Sequence, residues 1–130
     1  MLDDGLYDPD IKHAGLFDAM ISLHIGEMDR SNPNYTTYSI FNYIDSSYPP
    51  TFLASGNTDT FEEDQIKLDQ RLEELGVSHD FFFMPRTQRV LGHCFLVSYS
   101  TLDVANECAL RMMKFINGAT GLEAPVEPFY

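Results

Sequence analysis

The sequence predicts an α/β fold in which helices flank a small parallel sheet. Two short apolar runs, TFLAS over 51–55 and the aromatic HDFFFM over 79–84, have the length and residue types of strands. A stretch with helical periodicity separates them, and a second such stretch follows the later run. A strand-helix-strand connection of this length predicts parallel pairing with a right-handed crossover.

Length and composition indicate a single packed domain with an acidic surface. The chain has 130 residues, of which 44% are hydrophobic and 13% aromatic, as is typical of a globular protein. The formal net charge of −12 comes from 20 acidic and 8 basic residues. This balance disfavours a nucleic-acid partner and docking on an anionic membrane, because both need clustered lysine and arginine.

The cysteines and the apolar runs bear on the compartment. The two cysteines lack the spacing of a metal site or a disulfide framework, which favours a reducing, cytoplasmic setting. No early run is typical of a signal peptide, and none approaches membrane-spanning length.

The residues before the first strand are predicted to form helical and loop structure. Residues 1–13 are polar and contain four aspartates, which is typical of a loop. AGLFDAMISLHIGEM over 14–28 has apolar residues at helical spacing. The turn-like DRSNPNYT follows, and TYSIFNYI could form a short helix before Pro49 and Pro50 close the segment.

Two amphipathic helices are predicted after the first strand. The first spans about 61–75, with Gly76 at its C-terminal stop. The second spans about 102–117 and is predicted to stop at Gly118. Between the second strand and the last helix, TQRVLGHCFLVSYS is predicted to be a loop with some apolar content. The buried side of the last helix is predicted to comprise Val104, Ala105, Cys108, Met112, Phe115 and Ile116.

An acid and a histidine follow the two predicted strands. Asp59 comes just after the first strand, and His93 lies in the loop after the second. Neighbouring parallel strands lie less than about 5 Å apart and end at the same edge, so the two loops can bring a carboxylate to an imidazole. A carboxylate that accepts from one ring nitrogen leaves the other free to act as a general base. Gly92 is predicted to let the backbone bend sharply at the histidine.

These motifs carry a family resemblance. PPTFLASGNTDTF, the amphipathic helix, GVSHDFFFMP and GHCF together resemble the C-terminal part of the α/β-hydrolase fold, in its esterase and lipase (carboxylesterase-like) branch. In that family a strand ends in a G-x-x-D-type turn that carries the catalytic acid, and a later His-Gly-Phe or His-x-Phe carries the catalytic histidine. Gly56 to Asp59 matches the first pattern and His93 to Phe95 the second, in the same order.

The resemblance implies a fold and a division of the chain. It covers about residues 48–117 and implies that 48–130 is the strand-helix-strand-helix end of a partial three-layer α/β-hydrolase sheet. Over 1–47 it is looser and implies a lid-like helical and loop segment, which is expected to belong to the same folded unit.

The serine of the family has no counterpart here. No two glycines in the 130 residues are spaced i, i+4, so a G-x-S-x-G elbow is absent, and no HGGG-like stretch could supply an oxyanion hole. The resemblance implies that His93 is a triad base and Asp59 its acid, with the serine encoded upstream. We therefore expect the chain alone to be inactive.

Several hypotheses stay open at this point. The chain could be a truncated esterase that keeps the fold of its half, half of a split hydrolase of small esters completed in trans by an N-terminal half, or a non-catalytic binding or oligomerisation module. A half-sheet exposes an unpaired edge, which predicts a homo-oligomer in the absence of a complementing chain.

Each candidate residue also has a structural alternative. Asp59 could be a turn aspartate that bonds its own backbone, and His93 could be an ordinary surface-loop histidine. Cys94 is disfavoured as a substitute nucleophile because adjacent side chains usually point apart. The remaining histidines, His13, His24 and His79, have no ligand spacing, so neither a metal nor another cofactor is predicted.

Overall fold

The computed structural model describes residues 23, 24, 26, 33, 37, 39–58 and 61–128. In this part of the chain the longer elements are β1 (Thr51–Ala54), α1 (Glu62–Glu74), β2 (His79–Phe82) and α2 (Asp103–Thr120). The alternation of strand and helix is the mixed α/β arrangement that the sequence predicts. Both strands begin where predicted, and each ends one or two residues early.

The two strands pair in parallel, as predicted. Thr51 lies opposite His79 and Ala54 opposite Phe82. The backbone N–H of Thr51 donates to the carbonyl of Ser78 at 3.0 Å, which fixes the register at the start of the pair. In a parallel ladder the backbone N–H and C=O groups of successive residues point to alternate sides of the strand. Since Thr51 faces β2, Phe52 and Ala54 direct their N–H and C=O groups away from it.

The two faces of the sheet pack against different helices. Successive side chains of a strand point to opposite faces, so even a four-residue strand contributes to two cores. On the α1 face the buried residues are Ile44, Leu53, Leu68, Leu72 and Val77. On the α2 face they are Phe82, Leu91, Phe95, Val104, Ala105 and Cys108, with Phe52 and Ala54 of β1 packed against them.

Helix α1 ends in a hydrogen-bonded glycine cap, as the sequence predicts. Gly76 has a φ of +67°, a conformation that glycine adopts without steric cost. Its N–H donates to Glu73 O at 3.0 Å, and the N–H of Val77 donates to Leu72 O at 3.0 Å. Val77 and Leu72 also share the α1-side core, which completes a Schellman motif and turns the chain directly into β2.

The predicted stop of the last helix is wrong. Helix α2 continues through Gly118 to Thr120 and ends at Gly121, which has a φ of +70°. A glycine inside a helix costs only about 1 kcal/mol relative to alanine, and this cost alone does not end a helix whose backbone hydrogen bonds continue.

The predicted buried side of this helix is correct for its first turns only. Val104, Ala105 and Cys108 are buried, whereas Ile116 is 44% exposed. An 18-residue helix is about 27 Å long and a four-residue strand about 13 Å, so the end of α2 extends past the sheet. The ring of Phe115 still reaches the sheet, and its centroid lies 5.9 Å from that of Phe52.

Two polar contacts hold β2 between the helices. Arg111 of α2 donates two hydrogen bonds to the carboxylate of Asp80, one from Nε at 2.7 Å, and these bonds raise the pKa of the guanidinium. On the other side, His79 Nε2 lies 3.3 Å from Asp69 Oδ1 of α1, and Nδ1 lies 2.8 Å from the carbonyl of Val77. The start of β2 is thereby tied to both helices.

The predicted lid-like segment 1–47 lies largely outside the described residues, as does most of the helix predicted over 14–28. Leu23 and His24 are helical and exposed. Among the described residues of TYSIFNYI, Thr37 is helical and Ile40–Asn42 form a 3₁₀ turn, after which Ile44 enters the α1-side core. None of the helices in the described ranges combines the length and hydropathy that crossing a bilayer requires.

Removing a core side chain should weaken the fold sharply. Leu72 is 0% exposed, so we expect Leu72→Ala to lower the free energy of unfolding by about 2–5 kcal/mol through the cavity it leaves. Leu122 is 61% exposed, and Leu122→Ala should change it by less than about 0.5 kcal/mol. Urea unfolding followed by circular dichroism measures both; equal effects would contradict the assignment of the core.

Candidate functional site

The loops that follow the two strands meet at one edge of the sheet. Because β1 and β2 are parallel, both chains leave the sheet at the same end. The first three residues after β1, Ser55, Gly56 and Asn57, are buried although none is apolar in the usual sense. Gly56 and Asn57 contact the segment 84–92, which leads from β2 to His93.

Asn57 makes most of the hydrogen bonds between these loops. Its side chain is among the most buried of the described residues, with 2% of the residue exposed. Nδ2 donates to Met84 O at 2.8 Å and to Arg89 O at 2.7 Å, and Oδ1 accepts from the N–H of Leu91 at 2.8 Å. The backbone N–H of Asn57 donates to Leu91 O at 2.9 Å. Both amide protons and the amide oxygen are therefore used in joining one loop to the other.

Gly56 allows the two backbones to touch. A Cβ at this position would lie 2.5 Å from Gly92 O, closer than real Cβ atoms approach, and 3.0 Å from Leu91 O, which is also a tight contact. The absence of a side chain at 56 therefore brings the turn after β1 into contact with the residue just before His93. The sequence motif Gly56-Asn57 has a physical basis in this contact.

The backbone bends just after His93, at Cys94, and not just before it, at Gly92, as predicted. Gly92 has no positive φ, and a Cβ there would meet nothing within 4 Å. The left-handed residue is Cys94, with a φ of 55° and a ψ of 28°. Cys94 precedes the 3₁₀ helix Phe95–Ser98, so part of the predicted loop is helical. The expectation that Gly92 supplies the bend is wrong.

His93 is an exposed side chain between two buried anchors. Leu91 and Phe95 both belong to the α2-side core, and the Phe95 ring stacks on Phe82 with centroids 6.1 Å apart. The residues between them, 92–94, are all exposed. The imidazole of His93 also lies beside the Phe61 ring, with centroids 5.8 Å apart. The loop is thus held on both sides of the histidine while the ring itself reaches solvent.

Asp59, the predicted acid, lies outside the described residues. Its predecessor Thr58 donates through Oγ1 to Leu91 O at 3.2 Å, two residues before His93. The structure therefore brings together the residues that precede both predicted site residues.

An ion pair connects residues 83–94, the histidine loop, to α2. Arg89, whose carbonyl accepts from Asn57, places its guanidinium 2.8 Å from the carboxylate of Asp103 at the start of the helix. The hydrogen bond from Arg89, followed by that from the N–H of Val104, holds the pKa of Asp103 below its usual value. Both side chains are substantially exposed, so the pair contributes little stability.

Sequence reasoning singled out Asp59 and His93 but missed Asn57 as a residue with a role of its own. The available signal was an amide-bearing residue directly after a buried strand, where a turn needs donors and acceptors. Across the described ranges, histidine, cysteine and carboxylate side chains form no group of three that could hold a metal ion.

Comparisons with protein-family models, with curated proteins and with solved structures give no match for this chain. Assignment of a function therefore rests on the geometry of the two loops and on the residue types they carry.

The two cysteines should differ strongly in reactivity. Burial raises the pKa of the Cys108 thiol to about 12, whereas Cys94 is exposed in the histidine loop. We expect iodoacetamide at pH 8.5 to modify Cys94 in the native protein and Cys108 only after unfolding, because the thiolate is the reacting form. Mass spectrometry counts the adducts. Native Cys94→Ser protein should take up none, and rapid modification of Cys108 in it would contradict the buried position.

Proposed function

We propose that this chain is the C-terminal portion of an α/β-hydrolase of the esterase and lipase type, with Asp59 as triad acid and His93 as triad base. The observation that supports this proposal most is that the two loops are joined where the parallel strands β1 and β2 end. Thr58, next to Asp59, is hydrogen-bonded to Leu91, and Gly56 contacts Gly92, next to His93. This is the edge at which sites of open α/β sheets form.

The chemistry of the proposal is acyl transfer from a small ester. Asp59 would accept a hydrogen bond from one nitrogen of His93 and so fix its tautomer. The other nitrogen would take the proton of a serine hydroxyl as that oxygen attacks the ester carbonyl, and would return the proton to the departing alcohol. The exposure of His93 between Leu91 and Phe95 suits this role, since a general base must reach a group supplied from outside its own loop.

The proposal includes inactivity of the isolated chain. The 130 residues contain neither a G-x-S-x-G elbow nor an HGGG-like stretch. A base and an acid without a nucleophile and oxyanion donors supply little acceleration, because triad members act as a unit.

Ester hydrolysis tests this directly. The purified chain should give no turnover of p-nitrophenyl acetate or butyrate above the His93→Ala background. When it is co-expressed with the coding sequence upstream of its own gene, hydrolysis should appear, and both His93→Ala and Asp59→Asn should lower kcat by about 10³-fold or more. His24→Ala, at an exposed histidine outside the two loops, is the matched control and should leave kcat unchanged.

Two results would refute the proposal. One is an assembled, active esterase in which His93→Ala retains full kcat. The other is turnover by the isolated chain that His93→Ala abolishes, since the nucleophile would then lie within these residues, with Cys94 and Ser98 the next to replace.

The unpaired lateral side of β1 supports a proposal about the partner. Phe52 and Ala54 direct their backbone N–H and C=O groups away from β2, and no strand in the described ranges pairs with them. Parallel strands normally belong to larger sheets, and an open edge invites a further strand. We infer that a complementing N-terminal half covers this edge, or a second copy of the chain where that half is absent.

Self-association of the isolated chain should therefore be measurable. Light scattering coupled to gel filtration should give at least twice the monomer mass at high concentration. Ala54→Pro removes an outward-facing N–H without loss of a ladder bond and should shift the protein toward monomer, whereas Ala54→Ser keeps the N–H and should not. A wild-type chain that stays monomeric at high concentration would contradict the inference.

A further inference from the structure

We propose that Asn57 is a positioning residue that sets the loop of His93 against the turn after β1. Its side chain bonds to three separate backbone atoms of the histidine loop, on Met84, Arg89 and Leu91. The catalytic consequence of this role rests on the proposed function, but the positioning itself does not.

The hydrogen-bond pattern requires an amide at this position. Two of the three partners are carbonyl oxygens, which need donors, and the third is an N–H, which needs an acceptor. Asparagine supplies two donors and an acceptor in one planar group. Aspartate has the same shape but would face Met84 O and Arg89 O with oxygen at 2.8 and 2.7 Å, where like partial charges repel. A shape-conserving substitution therefore reverses two contacts and leaves the third intact.

The apolar anchors do not fix the histidine by themselves. Leu91 and Phe95 place the loop on the α2-side core, and the N–H of Phe95 donates to Gly92 O at 3.2 Å, but none of these contacts orients the two peptides that flank Leu91. The N–H and the carbonyl of Leu91 both bond to Asn57, and this pair of bonds sets the peptide orientation just before Gly92 and His93. The ring position of His93 beside Phe61 follows from that orientation.

Two ring contacts provide matched reporters within one molecule. The His93 and Phe61 rings report on the loop, with centroids 5.8 Å apart. The Phe52 and Phe115 rings report on the packing of α2 on the sheet, with centroids 5.9 Å apart. Nuclear Overhauser cross-peaks between the members of each pair separate a displaced loop from an unfolded core.

The experiment compares Asn57→Asp with Asn106→Asp in the full chain. Asn106 is also a buried asparagine, but its side chain makes one long hydrogen bond, 3.4 Å to Tyr99 O, so it controls for a new buried acid. We expect Asn57→Asp to lose the His93–Phe61 cross-peak and keep the Phe52–Phe115 cross-peak. Asn106→Asp should keep both. A purely stabilising role for Asn57 would lower the midpoint of unfolding without removing the loop cross-peak selectively.

Asn57→Ala serves as the second variant because it removes the three side-chain bonds without adding a charge. If this variant keeps the His93–Phe61 cross-peak, the proposal is overturned. It is equally overturned if both variants lose both cross-peaks, since Asn57 would then support the whole fold and not the loop. Selective loss of the loop cross-peak in both Asn57 variants, together with a wild-type assembly that hydrolyses no ester, would uphold the positioning role and refute the hydrolase assignment alone.

Discussion

Each strand pair in a protein ends with backbone donors and acceptors that have left the ladder and still need partners. At the carboxyl end of β1 these groups are buried, so water cannot satisfy them, and an unsatisfied buried group costs about 1–3 kcal/mol. The backbone N–H of Asn57 meets this need by donating to Leu91 O. The side-chain amide of Asn57 bonds to Met84, Arg89 and Leu91 of the facing loop, and the bare backbone of Gly56 permits the approach. The placement of the histidine loop follows from this local requirement.

The rest of the fold holds the carboxyl end of the strand pair in place. Leu53 and its neighbours pack on α1, while Phe52 and Ala54 pack on α2, so the strand cannot rotate without exposing one of the two cores. The Schellman turn after α1 delivers the chain into β2 in register, and Arg111 and His79 hold β2 from either side. Covering a parallel sheet on both faces is the usual requirement of such sheets, met here with one helix on each face.

The sequence predicts the described elements well where local signals are strong. Both strands, α1 and its glycine stop are correct because apolar runs, periodicity and a C-cap glycine are local features. The helix stop predicted at Gly118 was wrong because a glycine caps a helix in this way only when it takes a left-handed conformation. Gly121 is the glycine that does so. Gly92 misled for the opposite reason: the left-handed residue next to His93 is Cys94, a residue type that gives no such signal.

The candidate site was predictable only in part. The order of Asp59 and His93 after two parallel strands follows from spacing and topology, whereas Asn57 depends on where three carbonyl and amide groups of a distant loop lie. Those partners are 27 to 34 residues away along the chain, and no local pattern encodes them. The helix predicted over 14–28 belongs to a part of the chain that lies largely outside the described residues.

The spacing of the anchors has an evolutionary consequence. Leu91 and Phe95 are committed to the core, whereas the side chains between them are exposed and make no contribution to it. Selection could exchange the side chain at 93 at little thermodynamic cost to the scaffold, whereas the left-handed backbone at Cys94 restricts what can follow it. A fold built in this way can gain, lose or change a chemistry while the residues that maintain its shape stay the same.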